Sequence, residues 1–279
     1  MGQPPTPAQA RLASILRGLR DGAGLTTYEL AERLGWSQAR VTRIENMRTR
    51  RFAAVDVEQW AEATGAPELV RDELAQLVYE ASTEARSWHI SHRAGLAARQ
   101  REFAEMERSA TEILHFQPEA IPGLFQTEDY ARRLLGFADI TGKGGIDAAV
   151  RERMKRQAIL RKRGRRFEYI LTEGALRYRP GPQQVMSEQL GKLVAAASLP
   201  AVTLSVIPYD REARTAYIQA FMIFRTEDGP VALTEGYTKE DFLAAPVDID
   251  TLEREFALLR ESALTGADAL DFARAVMLA

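Results

Sequence analysis

Four side chains between positions 38 and 43 have the chemistry needed to read the edges of DNA base pairs. They are Gln38, Ala39, Thr42 and Arg43. In the major groove an arginine can bond both acceptors of a guanine, a glutamine can bond an adenine, and an alanine or threonine methyl can touch the methyl group of a thymine. Residues three or four positions apart share one face of a helix, so we predict a helix whose outer face lies in the major groove.

Caps and a turn predict where this helix and the one before it begin and end. Thr26 followed by Glu29 has the capping-box spacing, and Gly35 ends the short helical pattern that they start. Ser37 has the residue type and position of a cap for the next helix. The sequence therefore predicts two short helices joined by a tight turn, the helix-turn-helix arrangement.

Apolar residues on the inner faces of these helices predict how they pack. Ala31 is small where the two helices must approach closely, and Val41 and Ile44 are expected to bury against Leu30 and Leu34. This packing would leave the opposite face of the second helix free to contact another molecule.

Arginines dominate the charge of this region. Six of them lie between Arg33 and Arg51, against a single acid, Glu45. Those that follow the helix are expected to contact backbone phosphates, which position a protein on DNA without reading its sequence. The alternative interpretation is an ordinary helical hairpin with a solvated charged face. The predicted DNA-contacting residues are Thr27, Ser37, Gln38, Ala39, Arg40, Thr42, Arg43, Arg48, Arg50 and Arg51.

The composition excludes several other classes of protein. The 279 residues include no cysteine, which excludes disulfides and thiolate metal sites and is typical of a reducing cytoplasm. No apolar run approaches the roughly 20 residues of a membrane-spanning helix, and residues 1–7 lack the features of a signal peptide. We therefore expect a cytoplasmic protein that does not associate with membranes.

The usual catalytic and metal-binding patterns are missing from the sequence. There is no glycine-rich phosphate loop, no nucleophile elbow and no zinc-protease motif. His89 and His92 have a spacing that suits a metal ion, but no further ligand is near them in the sequence. We therefore expect no enzymatic activity, no cofactor and no bound metal.

Helical and strand patterns predict a mainly α protein: an N-terminal five-helix helix-turn-helix bundle over residues 8–86, then a mixed α+β domain with a small sheet over residues 96–279. A polar stretch from Ser87 to Gly95 is interpreted as the hinge. The predicted strands are Arg166–Leu171, Thr203–Ile207, Phe221–Phe224 and Val231–Thr234. The predicted helices of the second domain are Leu96–Phe116, Thr127–Phe137, Asp147–Arg161, Val185–Ala197, Ile249–Leu264 and Asp268–Leu278.

The segment Leu25 to Glu45 resembles the helix-turn-helix of the phage-repressor-like, xenobiotic-response-element regulators, and the resemblance extends over about Ala8 to Ala81. It implies sequence-specific binding to double-stranded DNA. In many relatives a glutamine at the start of the second helix reaches a phosphate. This chain has Thr27 there, whose hydroxyl can still donate a hydrogen bond but has a shorter reach.

The rest of the chain resembles the C-terminal domain of many actinobacterial regulators, the DUF5753 or Scr1-type antitoxin-like group. The motifs that carry this resemblance are Glu119–Arg132, Thr172–Arg177 and Val202–Pro208. Proteins of this group are commonly encoded beside a small DUF397-type protein, so the resemblance implies such a protein as a partner.

Two segments of the second domain are candidates for binding. Phe125, Gln126 and Tyr130 could line a pocket for a ligand or partner, although the same segment could be only a stiff turn in which Thr127 caps the next helix. The basic run from Arg151 to Arg166 could be a second nucleic-acid surface, but a solvated helix face or contacts with acids of the same domain are the favoured interpretations.

Three functions remain open at this point. The first is a DNA-binding transcriptional regulator that is a homodimer, because one helix-turn-helix reads few base pairs. The second is an antitoxin-like module that restrains a small partner protein and binds DNA only to regulate itself. The third is a sensor of a small-molecule effector, which would need a pocket of about 300 Å³ or more in the α+β domain.

Overall fold

A computed structural model describes the greater part of the chain. The residues described are 7–46, 54–82, 84–87, 95–139, 142, 144–227, 229–236 and 239–278. The predicted phosphate contacts Arg48, Arg50 and Arg51 lie outside these residues, as do His89, His92 and most of the predicted hinge. The chain divides into two compact units, residues 1–85 with 242–249, and residues 86–241 with 250–279.

The N-terminal unit contains five helices in its described residues up to position 82. They are α1 (Pro7–Gly22), α2 (Thr27–Leu34), α3 (Gln38–Glu45), α4 (Ala54–Ala63) and α5 (Glu68–Ser82). Their core is built around Leu12, Leu16, Leu30, Trp60 and Leu74, each of which is at most 1% exposed. The Trp60 indole donates to the backbone oxygen of Leu16 at 3.0 Å, so the buried polar atom of this ring is satisfied.

Seven more α-helices lie in the described residues beyond position 94. They are α6 (Leu96–Ser109), α7 (Glu128–Ala138), α8 (Ile146–Arg156), α9 (Glu173–Arg177), α10 (Gln183–Ala197), α11 (Pro246–Glu261) and α12 (Gly266–Leu278), with 3-10 turns at Gly123–Phe125 and Gln157–Arg161. Among the described residues, no helix is both long and apolar enough to span a membrane.

A mixed sheet forms the centre of the second unit. The strands in the described residues of the whole chain are β1 (Glu84–Ser87), β2 (Ala110–Gln117), β3 (Arg166–Thr172), β4 (Val202–Ile207), β5 (Phe221–Thr226), β6 (Gly229–Glu235), β7 (Lys239–Leu243) and β8 (Leu264–Thr265). Six of them run in the order β6-β5-β2-β3-β4-β8. Strand β2 is parallel to β3 and antiparallel to β5, so Ile113 lies between Phe167 and Phe224.

The predicted fold class is confirmed, and each of the four predicted strands is present as β3 to β6. The prediction of one helix from Leu96 to Phe116 is wrong in its second half. The helix ends at Ser109 and β2 begins at Ala110. Strand β2 has a neighbouring strand on each side and is buried over most of its length, so its residues lack the alternation of a half-exposed strand.

Candidate nucleic-acid interface and C-terminal cavity

The caps that the sequence predicts are present at the ends of α2 and at the start of α3. The Thr26 hydroxyl accepts from the backbone N–H of Glu29 at 3.2 Å, and the Thr26 N–H donates to the Glu29 carboxylate at 2.8 Å. Gly35 ends α2 with φ of 67°, a left-handed conformation that glycine adopts without strain. The Ser37 hydroxyl then accepts from the N–H of Arg40 and starts α3. Hydrogen bonds from Thr26 also lower the pKa of Glu29, so this cap is ionised at neutral pH.

The two faces of α3 are sharply different. Val41 and Ile44 are buried in the core of the helical unit. Their burial fixes the rotation of α3 about its axis, and the opposite face is exposed to solvent. That face consists of the predicted base-reading residues Gln38, Ala39, Thr42 and Arg43.

Two of the predicted contacts are joined by a hydrogen bond. The side-chain amide of Gln38 donates to the Thr27 hydroxyl oxygen at 3.0 Å. This bond uses an acceptor site of Thr27 and leaves its O–H proton free to donate to a phosphate. The first residue of α2 and the first residue of α3 therefore form one polar unit on the surface.

Arg40 differs from its neighbours on α3. Its guanidinium bonds the Asp56 carboxylate at 2.6 Å and lies over the Trp36 ring at 4.2 Å from the centroid. These contacts hold the side chain against α4. Arg43 is exposed and, within the described part of the chain, pairs with no acid. The structure therefore leaves Arg43, rather than Arg40, free to reach a base edge.

Glu45 is buried at the end of α3, which the sequence did not indicate. Its carboxylate receives two hydrogen bonds from Arg20 of α1, at 2.5 and 3.1 Å. Arg20 also donates to the backbone oxygen of Leu25 at 2.8 Å. The hydrogen bond to Glu45 is the largest cause of the raised pKa of Arg20. The one acid of the basic segment is thus neutralised inside the bundle and anchors α3 to α1.

The signature segment from Ile121 to Tyr130 is mostly core. Phe125 and Tyr130 are completely buried, and the Phe125 ring packs edge-on against Tyr169 with centroids 4.4 Å apart. The hydroxyl of Thr127 accepts from the N–H of Tyr130 at 3.3 Å and caps α7. This part of the segment therefore has the structural role that the stiff-turn interpretation gave it.

Gln126 has a different environment, because it lies at the wall of a cavity of about 180 Å³. Its amide nitrogen donates to the backbone oxygen of Ile121 at 2.6 Å, and its amide oxygen accepts from Arg153 at 2.6 Å. Phe125 and Tyr130 do not line this cavity. Glu107 and His115 do, together with Arg156.

Comparison with family models matches both parts of the chain. A helix-turn-helix domain matches residues 11–74, which supports a DNA-binding regulator. A domain of unknown function, DUF5753, matches residues 100–275, well over half of the chain. The chain belongs to the DUF5753 family. No curated protein matches it.

Charged groups are buried in the wall of the cavity of this DUF5753 domain. Arg156 and Glu107 form an ion pair at 3.0 Å, and each side chain is 7% exposed. Burial raises the pKa of Glu107 to about 7, although Arg156 pulls it down. Burial also lowers the pKa of His115 to about 3, so its imidazole is neutral. Arg153 keeps its charge at neutral pH, since burial lowers its pKa only to about 9.

The basic run from Arg151 to Arg166 makes many contacts within the DUF5753 domain itself. Arg153 and Arg156 of α8 turn to the cavity, and Arg165 donates to the backbone oxygens of Glu107, Arg108 and Ala110. These side chains are therefore held by the domain rather than arranged along an outer surface. Among the described residues, no group of three histidine or acidic side chains could hold a metal ion.

A wider cleft of about 920 Å³ lies on the surface of the DUF5753 domain. The aromatic side chains of Phe137, Tyr178 and Tyr209 line it, and all three residues are exposed. The cleft and the smaller cavity share Ala120, Leu134 and Glu235 as wall residues. Aromatic residues of this kind are enriched where proteins bind one another.

Proposed function

We propose that this protein is a sequence-specific DNA-binding transcriptional regulator in which α3 lies in the major groove. The observation that carries the proposal is the exposed face of α3, where Gln38, Ala39, Thr42 and Arg43 project opposite the buried Val41 and Ile44. The bond between Gln38 and Thr27 supports it, because it places a free hydroxyl proton beside the base-reading face. The C-terminal domain senses an effector or binds a partner, and the protein is cytoplasmic and has no catalytic activity.

Selection of bound sequences from a random duplex library tests DNA binding directly. We expect enrichment of one sequence motif, and an affinity for that motif about 10³-fold or more above the affinity for random DNA at the same salt concentration. A library that remains random after selection would contradict the proposal.

We also propose that the regulator is a homodimer. A single helix-turn-helix reads only a few base pairs, and pairing two half-sites about one helical turn apart supplies the missing affinity. We expect sedimentation to give a dimer at micromolar concentration and the selected motif to be an inverted repeat. A monomer both with and without DNA, together with a motif that lacks two-fold symmetry, would rule this out.

The second candidate function is that of an antitoxin-like module that binds a small DUF397-type protein. The aromatic cleft favours it, because Phe137 and Tyr209 are 60% and 67% exposed beside an open groove. We predict that Phe137→Ser with Tyr209→Ser lowers co-purification with a co-expressed DUF397-type protein by about tenfold or more, as expected for aromatic residues at a binding hot spot. Ile218→Ser is the matched control, since Ile218 is 91% exposed and does not line the cleft. An equal loss of co-purification in the double variant and in Ile218→Ser would show that the cleft does not bind the DUF397-type protein.

A further inference from the structure

Two buried polar atoms at the small cavity lack partners. They are Nε of Arg156 and Oε2 of Glu107, for which no hydrogen bond exists within the described residues. The ion pair between these side chains uses only Nη1 of Arg156 and Oε1 of Glu107. An unpaired buried polar atom costs about 1–3 kcal/mol, so buried groups of this kind are nearly always satisfied by something. Both residues line the cavity, and its contents are therefore expected to supply the missing bonds.

The signature segment leaves room for Arg156 in this place. A Cβ atom at Gly123 would lie 2.3 Å from Nη2 of Arg156, so a larger residue there would displace the guanidinium from this position. Arg156 also lies over the Phe103 ring at 5.1 Å. The presence of a glycine at position 123 is thus explained by the position of Arg156 and not by the backbone conformation of Gly123.

The charges around the cavity limit the chemistry of its occupant. The charged residues in the described wall are Arg153 and Arg156 against Glu107 and Glu235, two of each sign when both carboxylates are ionised, and His115 is neutral. A charged ligand would bring an unbalanced charge into a site that is already balanced, at a large cost in desolvation. A purely apolar ligand would leave Nε and Oε2 unpaired. A neutral molecule that carries one acceptor and one donor satisfies both conditions.

We propose that this cavity is the binding site of a small neutral molecule of the amide or lactam class. The ligand carbonyl accepts from Nε of Arg156, and the ligand N–H donates to Oε2 of Glu107. The apolar body of the ligand lies against Ile113, Met222 and Phe224, which form the sheet side of the wall. The proposal deepens the sensing role proposed above, and it rests on that role only for the statement that the bound molecule is an effector.

The cavity is smaller than the roughly 300 Å³ expected of a pocket for a drug-sized effector, so it restricts the ligand to a compact molecule. A volume of about 180 Å³ corresponds to roughly six water molecules, which is room for a compact ring with one amide group. Ala120 and Leu134 separate the cavity from the aromatic cleft and belong to both walls. Occupancy of the cavity is therefore in a position to alter the shape of the cleft.

A matched set of probes tests the ligand class on the full-length protein by titration calorimetry at about pH 8, where Glu107, whose pKa burial raises to about 7, is mostly ionised. Benzamide and caprolactam carry a donor and an acceptor, methyl benzoate carries acceptors only, and benzoate is an anion. We expect the tighter amide to bind about tenfold or more above methyl benzoate and benzoate, because a site with buried polar partners discriminates against analogues that leave them unpaired. If neither amide binds more tightly than both comparators, ordered water fills the cavity and the proposal is wrong.

Variants then locate the binding. Glu107→Gln combined with Arg156→Gln removes the charges together, and Met222→Trp fills the space while keeping both polar groups. We expect each to raise the Kd of the tighter amide by about tenfold or more. Arg151→Gln is the matched control, because Arg151 is an exposed residue of the same helix, α8, and it should leave the Kd unchanged. If the double variant fails to fold, Met222→Trp decides: wild-type affinity in that variant would place the amide elsewhere.

Calorimetry without DNA separates this proposal from the proposed function. If the amides do not bind, the proposed DNA-binding function can still be supported by the DNA selection. If the DNA selection fails, the calorimetry still decides whether the cavity binds an amide. An amide that binds and also changes the affinity for the selected DNA sequence would identify the site as an effector site. An amide that binds without any such change would remove the effector role and keep the site.

Discussion

Glu45→Ala is expected to lower the free energy of unfolding of the N-terminal helical unit by about 3 to 5 kcal/mol, the usual cost of removing one partner of a buried ion pair. Arg20, which is 9% exposed, would lose the two hydrogen bonds that Glu45 accepts and would keep, among the described residues, only the exposed Asp21 as an ion-pair partner. Urea unfolding measures the loss through the fluorescence of Trp36 and Trp60, in a Trp88→Phe background that removes the third tryptophan.

The chain offers a matched control for this experiment. Glu73 pairs with Arg11 between α1 and α5 at 2.5 Å, but those side chains are 40% and 66% exposed. Glu73→Ala should therefore cost less than about 1 kcal/mol, as exposed pairs do. A second comparison is Arg20→Met with Glu45→Leu, which replaces both charges and should recover part of the loss. Recovery stays incomplete because Arg20 also bonds the backbone oxygen of Leu25. Equal losses of unfolding free energy in Glu45→Ala and Glu73→Ala would show that the buried pair of Arg20 with Glu45 stabilises the unit no more than an exposed pair does.

The helix-turn-helix could be predicted because its signals are local. Each cap at Thr26 and Ser37 lies within three residues of the N–H that it accepts, and Gly35 marks the turn by its own conformation. Such features depend on short-range geometry, which a sequence displays directly. The rotation of α3 followed from the spacing of Val41 and Ile44 for the same reason.

The features that were missed depend on partners far away in the chain. The burial of Glu45 could not be predicted, because nothing near it in sequence shows that Arg20, 25 residues earlier, bonds it. The sequence predicts a helix where strand β2 lies, because most of the strand is buried on both faces and its residues therefore lack the alternation of a half-exposed strand. The cavity could not be predicted at all, since the pair of Arg156 with Glu107 joins positions 49 residues apart.

The second large effect concerns the outer face of α3. If Arg43 bonds a guanine edge, Arg43→Ala should cost about 1 to 3 kcal/mol on the selected DNA sequence and much less on random DNA, so the ratio of the two affinities falls steeply. The exposure of Arg43 and its lack of an acidic partner among the described residues make it the arginine of α3 that is free for this contact. Fluorescence anisotropy with both duplexes measures the two losses.

Arg50→Ala is the matched comparison, because Arg50 follows α3 in the sequence and is predicted to neutralise a phosphate. Its loss should weaken binding to both duplexes alike. It should also reduce the slope of log affinity against log salt concentration by about 1, because one phosphate contact releases about one counterion. Arg43→Ala should change the specificity ratio far more than Arg50→Ala does. Suppose instead that Arg43→Ala weakens binding to both duplexes equally and Gln38→Ala changes binding to neither. Then α3 does not lie in the major groove, and the exposed face of this helix contacts another partner.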